Sequence, residues 1–203
     1  MKGNRIATTM LAAVLVLTAA ACQGDSPEPP PVTTTPVASP TPTPTPTAAA
    51  LPDFTEWQTE PADIPVPPMP AAAKERTKAG SVAFGKYYIA LINHALLTGE
   101  NRELAALAAP ECDICETNAA GFVSTFTKEQ SYLGDPRYTI TGSRQEDLSS
   151  TGAGASVFVT SKPFKIREKS EVTSVKAQHL ALVFRLSWTG NAWKVTDYTV
   201  GDI

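Results

Sequence analysis

Cys112 and Cys115 stand three residues apart, directly after Pro110-Glu111. At a helix start that spacing puts both thiols on one face, with Cα atoms close enough for a disulfide. Two other chemistries suit such a pair. A redox dithiol would draw on the lowered pKa of a thiolate at a helix N-terminus. Against it, Glu111 and Asp113 are acids that raise the pKa of a neighbouring thiol, and no βαβ pattern surrounds the pair. Zinc would need two further ligands, and the chain's two histidines, His94 and His179, come from distant segments. A disulfide is therefore expected, with no metal and no cofactor. The other charged motif is Lys162-Pro163-Phe164-Lys165-Ile166-Arg167-Glu168-Lys169. Strand alternation puts most of its charges on one face, as a solvated edge strand requires. An acidic wall polymer is the alternative use of that face.

Composition narrows the function classes. Of 203 residues and eighteen prolines, fifteen prolines lie between Pro27 and Pro70. Residues 23–70 carry six acids and no Lys or Arg, whereas residues 71–203 carry fifteen basic and fourteen acidic residues. A near-neutral domain on an acidic tether is ill suited to neutralise phosphates, so no nucleic-acid partner is expected.

The first residues read as an address. Lys2 and Arg5 precede an apolar run from Ile6 to Ala21. Sixteen helical residues reach about 24 Å, short of the ~30 Å hydrocarbon core, so a stable transmembrane span is not expected. Ala19-Ala20-Ala21-Cys22 resembles the lipobox of bacterial lipoproteins, with Ala19 where that motif usually has Leu. The resemblance implies a signal peptide over 1–21, acylation of Cys22, and an extracytoplasmic protein held on the cell membrane by lipid. Two acyl chains anchor where one binds only marginally. With Cys22 acylated, Cys112 and Cys115 remain as an even pair in an oxidising compartment.

Residues 22–50 contain Pro29-Pro30-Pro31 and the run Thr41-Pro42-Thr43-Pro44-Thr45-Pro46-Thr47. Such a composition buries no core and favours extended polyproline II, so a disordered tether is expected. Thr-Pro runs are also plausible glycosylation stalks. Residues 51–70 add Phe54, Trp57, Ile64, Val66 and Met69. They are expected to lie extended against the domain, because the aromatic rings have apolar surface to hide.

Residues 71–203 read as helices first and strands after. Phe84, Tyr88, Leu91 and Ala95 recur at helical spacing between Ala79 and Leu97, with Gly99 as the stop. Asn101 is placed to cap a second helix containing Leu104 and Leu107 before Pro110. A third helix is predicted from Asp113 to Leu133, with Phe122 and Phe126 four apart and Gly134 closing it. The period then changes to two. Tyr138 and Ile140, Val157 to Val159, and Phe164 and Ile166 read as strands. The clearest strand is Gln178 to Trp188, with a type II′ hairpin at Gly190-Asn191 and a return through Trp193 and Val195. The fold class expected is α+β, with two to three N-terminal helices packed on a curved antiparallel sheet.

This order resembles the cone-shaped nuclear transport factor 2-like fold. More narrowly, the chain resembles a family of actinobacterial lipoproteins of unknown function. The resemblance rests on Met69-Pro70-Ala71-Ala72, Ala83-Phe84 with Tyr87-Tyr88-Ile89, Thr98-Gly99-Glu100, and Pro110-Glu111-Cys112 with Cys115. It covers about residues 66–133 and implies a compartment and a fold, with no catalytic residues to carry over. Enzymes of the cone-shaped fold work with an acid/base pair inside the cavity. Here the resemblance offers Tyr88, His94 and Asp197 as members, and Trp188 and Tyr198 as walls. His94 sits six residues past Tyr88, about 240° around the helix, so the two cannot share a face, and His94 is expected at the surface or boundary. His179 starts a strand where a solvent-facing position is unremarkable. Trp188 and Trp193 are expected to pack across the hairpin. A non-enzymatic envelope module that binds a protein or wall component is the leading expectation. A carrier of small apolar ligands, or an acid/base enzyme using the cavity, is the alternative; the oligomeric state stays open.

Overall fold

The computed structural model describes residues 50–118, 121 and 130–203. The leader, Cys22, the Thr-Pro run, Phe122 and Phe126 lie outside the described residues. The elements run from a 3-10 turn (Ala71–Lys74) through α1 (Lys78–Thr98) and α2 (Arg102–Leu107) to seven strands. These are β1 (Gln130–Leu133), β2 (Tyr138–Leu148), β3 (Gly152–Ser161), β4 (Phe164–Glu168), β5 (Glu171–Val175), β6 (Gln178–Thr189) and β7 (Ala192–Asp202). Residues 113–118 are also helical. Among the described residues no helix is long and apolar enough to cross a membrane.

Helix α1 begins at Thr77, whose hydroxyl accepts the Gly80 N–H at 2.8 Å. It ends at Gly99 in the left-handed conformation, as the spacing predicts. Phe84, Tyr88, Leu91 and Ala95 all face the core. Asn101 does precede α2, and its carbonyl, not its side chain, accepts the helical N–H of Ala105.

The strands form two antiparallel sheets where one was expected. The larger has the order β2-β3-β6-β7, and α1 lies on it against β2 and β3. Its inner face presents Ala155, Val157 and Val159 from β3, Leu180 to Leu186 at alternate positions of β6, and Trp193, Val195 and Tyr198 from β7. Register shifts interrupt β2 twice and the β6–β7 pair once, and such bulges bend a strand. Gly190 and Asn191 both have positive φ, 59° and 78°. The hairpin is therefore type I′, correcting the expected type II′, which needs positive φ only at its first position.

The smaller sheet has the order β1-β4-β5. It overturns two expectations. Residues 130–133, predicted to end a third helix, form β1 and pair with Phe164–Glu168. Four residues with one or two apolar positions fit either period, so the long-range pairing decides. The basic segment, expected on a solvated edge, is β4 and occupies the middle of the sheet. Its outer neighbour β5, Glu171-Val172-Thr173-Ser174-Val175, carries no long apolar side chain to mark it as a strand, and its pairing is what makes β4 central.

The proline-rich residues 51–70 pack on their own domain. Gln58 exchanges two backbone hydrogen bonds with Tyr132, extending the small sheet beyond β1. Ala62 N–H donates to the Leu97 carbonyl at 2.8 Å, satisfying one of the acceptors a helix end leaves open. Val66 and Met69 reach the core. This strap covers the face of α1 that the sheet does not, and fourteen of the helix's twenty-one residues are buried. His94 is thereby buried, 5% exposed, correcting the expected surface or boundary position. Its Nε2–H donates to the Ile64 carbonyl at 3.2 Å; a carbonyl only accepts, so Nε2 carries the proton.

Candidate functional site

Cys112 and Cys115 form a disulfide with Cα atoms 5.3 Å apart. The Cys112 carbonyl accepts the N–H groups of Cys115 and Glu116, so the bridge closes the first turn of the 113–118 helix. Both residues are buried, 4% and 3% exposed. They wall a groove of about 430 Å³ with Asn101, Ala105, Pro110 and Glu116. Ala109 N–H donates to the Val195 carbonyl at 2.8 Å, tying the segment before the bridge to β7. Replacing both cysteines with alanine is expected to cost about 2 kcal/mol, the chain-entropy value for so short a loop. Urea unfolding of Cys112→Ala/Cys115→Ala beside the oxidised wild type measures this, and with the wild type in reductant the two curves should nearly coincide.

Tyr88, Phe184 and Tyr198 interlock between α1 and the large sheet. Ring centroids are 5.6 Å apart for Tyr88–Phe184, 6.1 Å for Tyr88–Tyr198 and 5.5 Å for Phe184–Tyr198. All three are buried, at 2%, 0% and 3% exposure. Burial, aided by the nearby Tyr198, pushes the Tyr88 phenol far above its ordinary range. Burial also raises Tyr198, whose hydroxyl accepts from Asn118 Nδ2. Both phenols stay protonated near neutral pH and serve as packing with a polar tip.

Asp197 does not join them. Plain alternation from Trp193 and Val195 would aim it inward. The register shift makes Thr196 an extra residue, so Arg185 faces Asp197 while Leu186 faces Val195. This turns Tyr198 into the core and Asp197 onto the outer face, where Arg185 Nη1 donates to its carboxylate at 2.9 Å. Trp188 sits opposite Trp193 across the hairpin, with centroids 4.9 Å apart in an edge-to-face arrangement. Trp193 Nε1–H donates to the Glu75 carbonyl at 2.9 Å. Of the five proposed cavity residues, only the rings of Tyr88 and Tyr198 meet inside the domain. His94 lies under the strap, and His179 is exposed on β6. Among the described residues no group of three His, Cys, Asp or Glu is placed to hold a metal.

One arrangement was not visible in the sequence. Arg167 lies with its guanidinium carbon 4.3 Å from the Trp57 ring centroid, and its Nε–H donates to Ser131 Oγ at 3.1 Å. Nearby, Arg137 stacks 5.3 Å over Phe54 and pairs with Asp135 at 2.8 Å. These partners are up to 110 residues apart, and only the strap-on-sheet packing brings them together.

Residues 57–199 match a family of unknown function, DUF6318. The chain belongs to this family. The match starts at Trp57, so the DUF6318 unit includes most of the strap along with both sheets. Among curated proteins, none matches the sequence. The fold is similar to the intermembrane-space region of the chloroplast protein ARC6, at 10% identity and a TM-score of 0.45, covering 60% of this chain and 97% of that one. It is also similar to a Xanthomonas campestris structure assigned to the calcium/calmodulin-dependent protein kinase II association domains. There the identity is 12% and the TM-score 0.38, covering 69% of this chain and 97% of the other. Both likenesses are too distant to carry function.

Proposed function

We propose that this DUF6318 protein is a cell-envelope module, anchored by lipid at Cys22, that binds a protein or wall component and performs no chemistry of its own. The reading takes residues 1–21 as a lipoprotein signal peptide and the Pro/Thr-rich residues 22–50 as a spacer. It takes the domain as a filled version of the cone-shaped nuclear transport factor 2-like fold, as in actinobacterial lipoproteins.

The observation that carries it is the interlocked Tyr88, Phe184 and Tyr198. They occupy the space where a cavity enzyme or carrier would hold its substrate, and Asp197 is turned away from them. A ligand site needs a concave space with convergent polar groups, and this interior offers packed rings instead.

Native mass spectrometry of the full chain in detergent tests the reading. A bare protein mass beyond the acyl chains is expected; a reproducible non-covalent small-molecule adduct would overturn it in favour of the carrier. Labelling with an alkyne palmitate should mark the wild type and not Cys22→Ala. Equal labelling of both would remove the anchor.

A further inference from the structure

We propose that β5 is a docking edge for an extended peptide of a partner protein, one carrying an acidic residue on its bonded face opposite Ser174. The proposal deepens the binding-module reading above and rests on it. It starts from the hairpin that joins β4 to β5. Glu168 and Glu171 close a two-residue turn of Lys169 and Ser170. In such a turn the closing pair is hydrogen-bonded, and bonded and non-bonded pairs then alternate. Thr173 and Val175 therefore turn their backbone groups toward β4, whereas Val172 and Ser174 turn both N–H and C=O outward. Among the described residues β5 ends the sheet, and no backbone bond is made to the outer groups of Val172 or Ser174.

Edges of this kind are usually blocked by proline, by charge on the strand itself, or by a covering element. β5 reads Glu171-Val172-Thr173-Ser174-Val175. It has three β-branched residues and no proline, its one charge, Glu171, lies on the face opposite Val172 and Ser174, and Val172 is 50% exposed. Its outward backbone groups and its composition both suit pairing.

Charge then selects the partner. Residues directly opposite share a face, so Val172 and Ser174 lie on the same face as Arg167 and Lys165. Glu168, Glu171, Ile166 and Thr173 fall on the other. Neither Arg167 nor Lys165 forms an ion pair among the described residues. Arg167 is drawn toward β1 and the strap by Ser131 and Trp57, away from β5, so Lys165 is the base nearest the open edge. A strand added at β5 would bond through the residues facing Val172 and Ser174. Those same residues would project their side chains on the face of Lys165, which reaches across the small Ser174. A carboxylate facing Ser174 complements Lys165. A second copy would face this edge with its own Val172 and Ser174, which offer no carboxylate to Lys165.

The test uses the full chain in detergent and a capped octapeptide of alternating Glu and Thr. Fluorescence anisotropy reads affinity, and hydrogen exchange reads protection over 171–175. Binding is expected with slowed exchange at β5. N-methylation of the Glu residues should abolish binding, whereas N-methylation of the Thr residues should leave it within about threefold. Lys165→Glu should weaken binding at least tenfold. Ser174→Pro, which removes only an outward N–H, should abolish it. Absence of binding overturns the proposal. So does equal binding by both methylated peptides or by polyphosphate, which would reduce the site to an anion patch. Concentration-dependent protection of 171–175 without peptide would assign the edge to a second copy and also overturn it. If no peptide binds while native mass spectrometry still finds no ligand, only this surface assignment falls.

Discussion

Phe184→Ala is expected to destabilise the domain by about 3–5 kcal/mol, the range for truncating a fully buried phenylalanine. Phe184 is 0% exposed and stands on β6, flanked in the large sheet by β3 and β7. It meets Tyr88 of α1 on one side and Tyr198 of β7 on the other. Truncation removes the ring that links helix and sheet. The neighbours cannot close the gap without moving α1, so most of the cavity term is retained. Urea unfolding followed by tryptophan fluorescence measures the cost. Phe184→Leu should lose roughly half as much, because it restores part of the volume. A cost below about 1 kcal/mol for the alanine variant would mean the interior is loosely filled. The same result would reopen the cavity reading, which gives this stability measurement a bearing on function.

The second large effect runs against helix propensity. Glycine to alanine inside a helix ordinarily gains about 1 kcal/mol. At Gly80 the added Cβ would lie 2.0 Å from the Glu75 carbonyl oxygen, a backbone atom. That carbonyl accepts the Trp193 indole N–H and the Thr77 N–H, each at 2.9 Å. Making room for alanine pushes the turn before α1 away and breaks the tie to β7. Gly80→Ala is expected to cost about 3 kcal/mol, at the upper end of overpacking effects. Trp193→Phe alone removes the same indole bond and should cost about 1–2 kcal/mol. The two changes share a partner, so the double variant should lose less than their sum. Additive losses in a urea double-mutant cycle would show that the Glu75 carbonyl is not the link.

Local pattern carried much of this protein. Helix α1 with its glycine stop, the short second helix, the β6–β7 hairpin and the cysteine pair were all legible. Each depends on residues within a few positions of one another: a 3.6-residue apolar stripe, a two-residue alternation, a spacing of three. DUF6318 membership adds no activity to that reading.

What sequence could not give depends on distant contacts. Gln130 to Leu133 is a strand because Phe164 to Glu168 lies beside it. His94 is buried because a proline-rich strap crosses the far face of α1. Asp197 points outward because one extra residue, Thr196, is absorbed in β7. Strand parity is a period of two, so a single inserted residue reverses the facing of everything beyond it. The sequence by itself determined the elements that rest on neighbouring residues: α1 with its glycine stop, the short α2 and the β6–β7 hairpin. The tertiary structure alone decided which face each candidate side chain occupies, because facing is set by pairing register and packing partners many residues away.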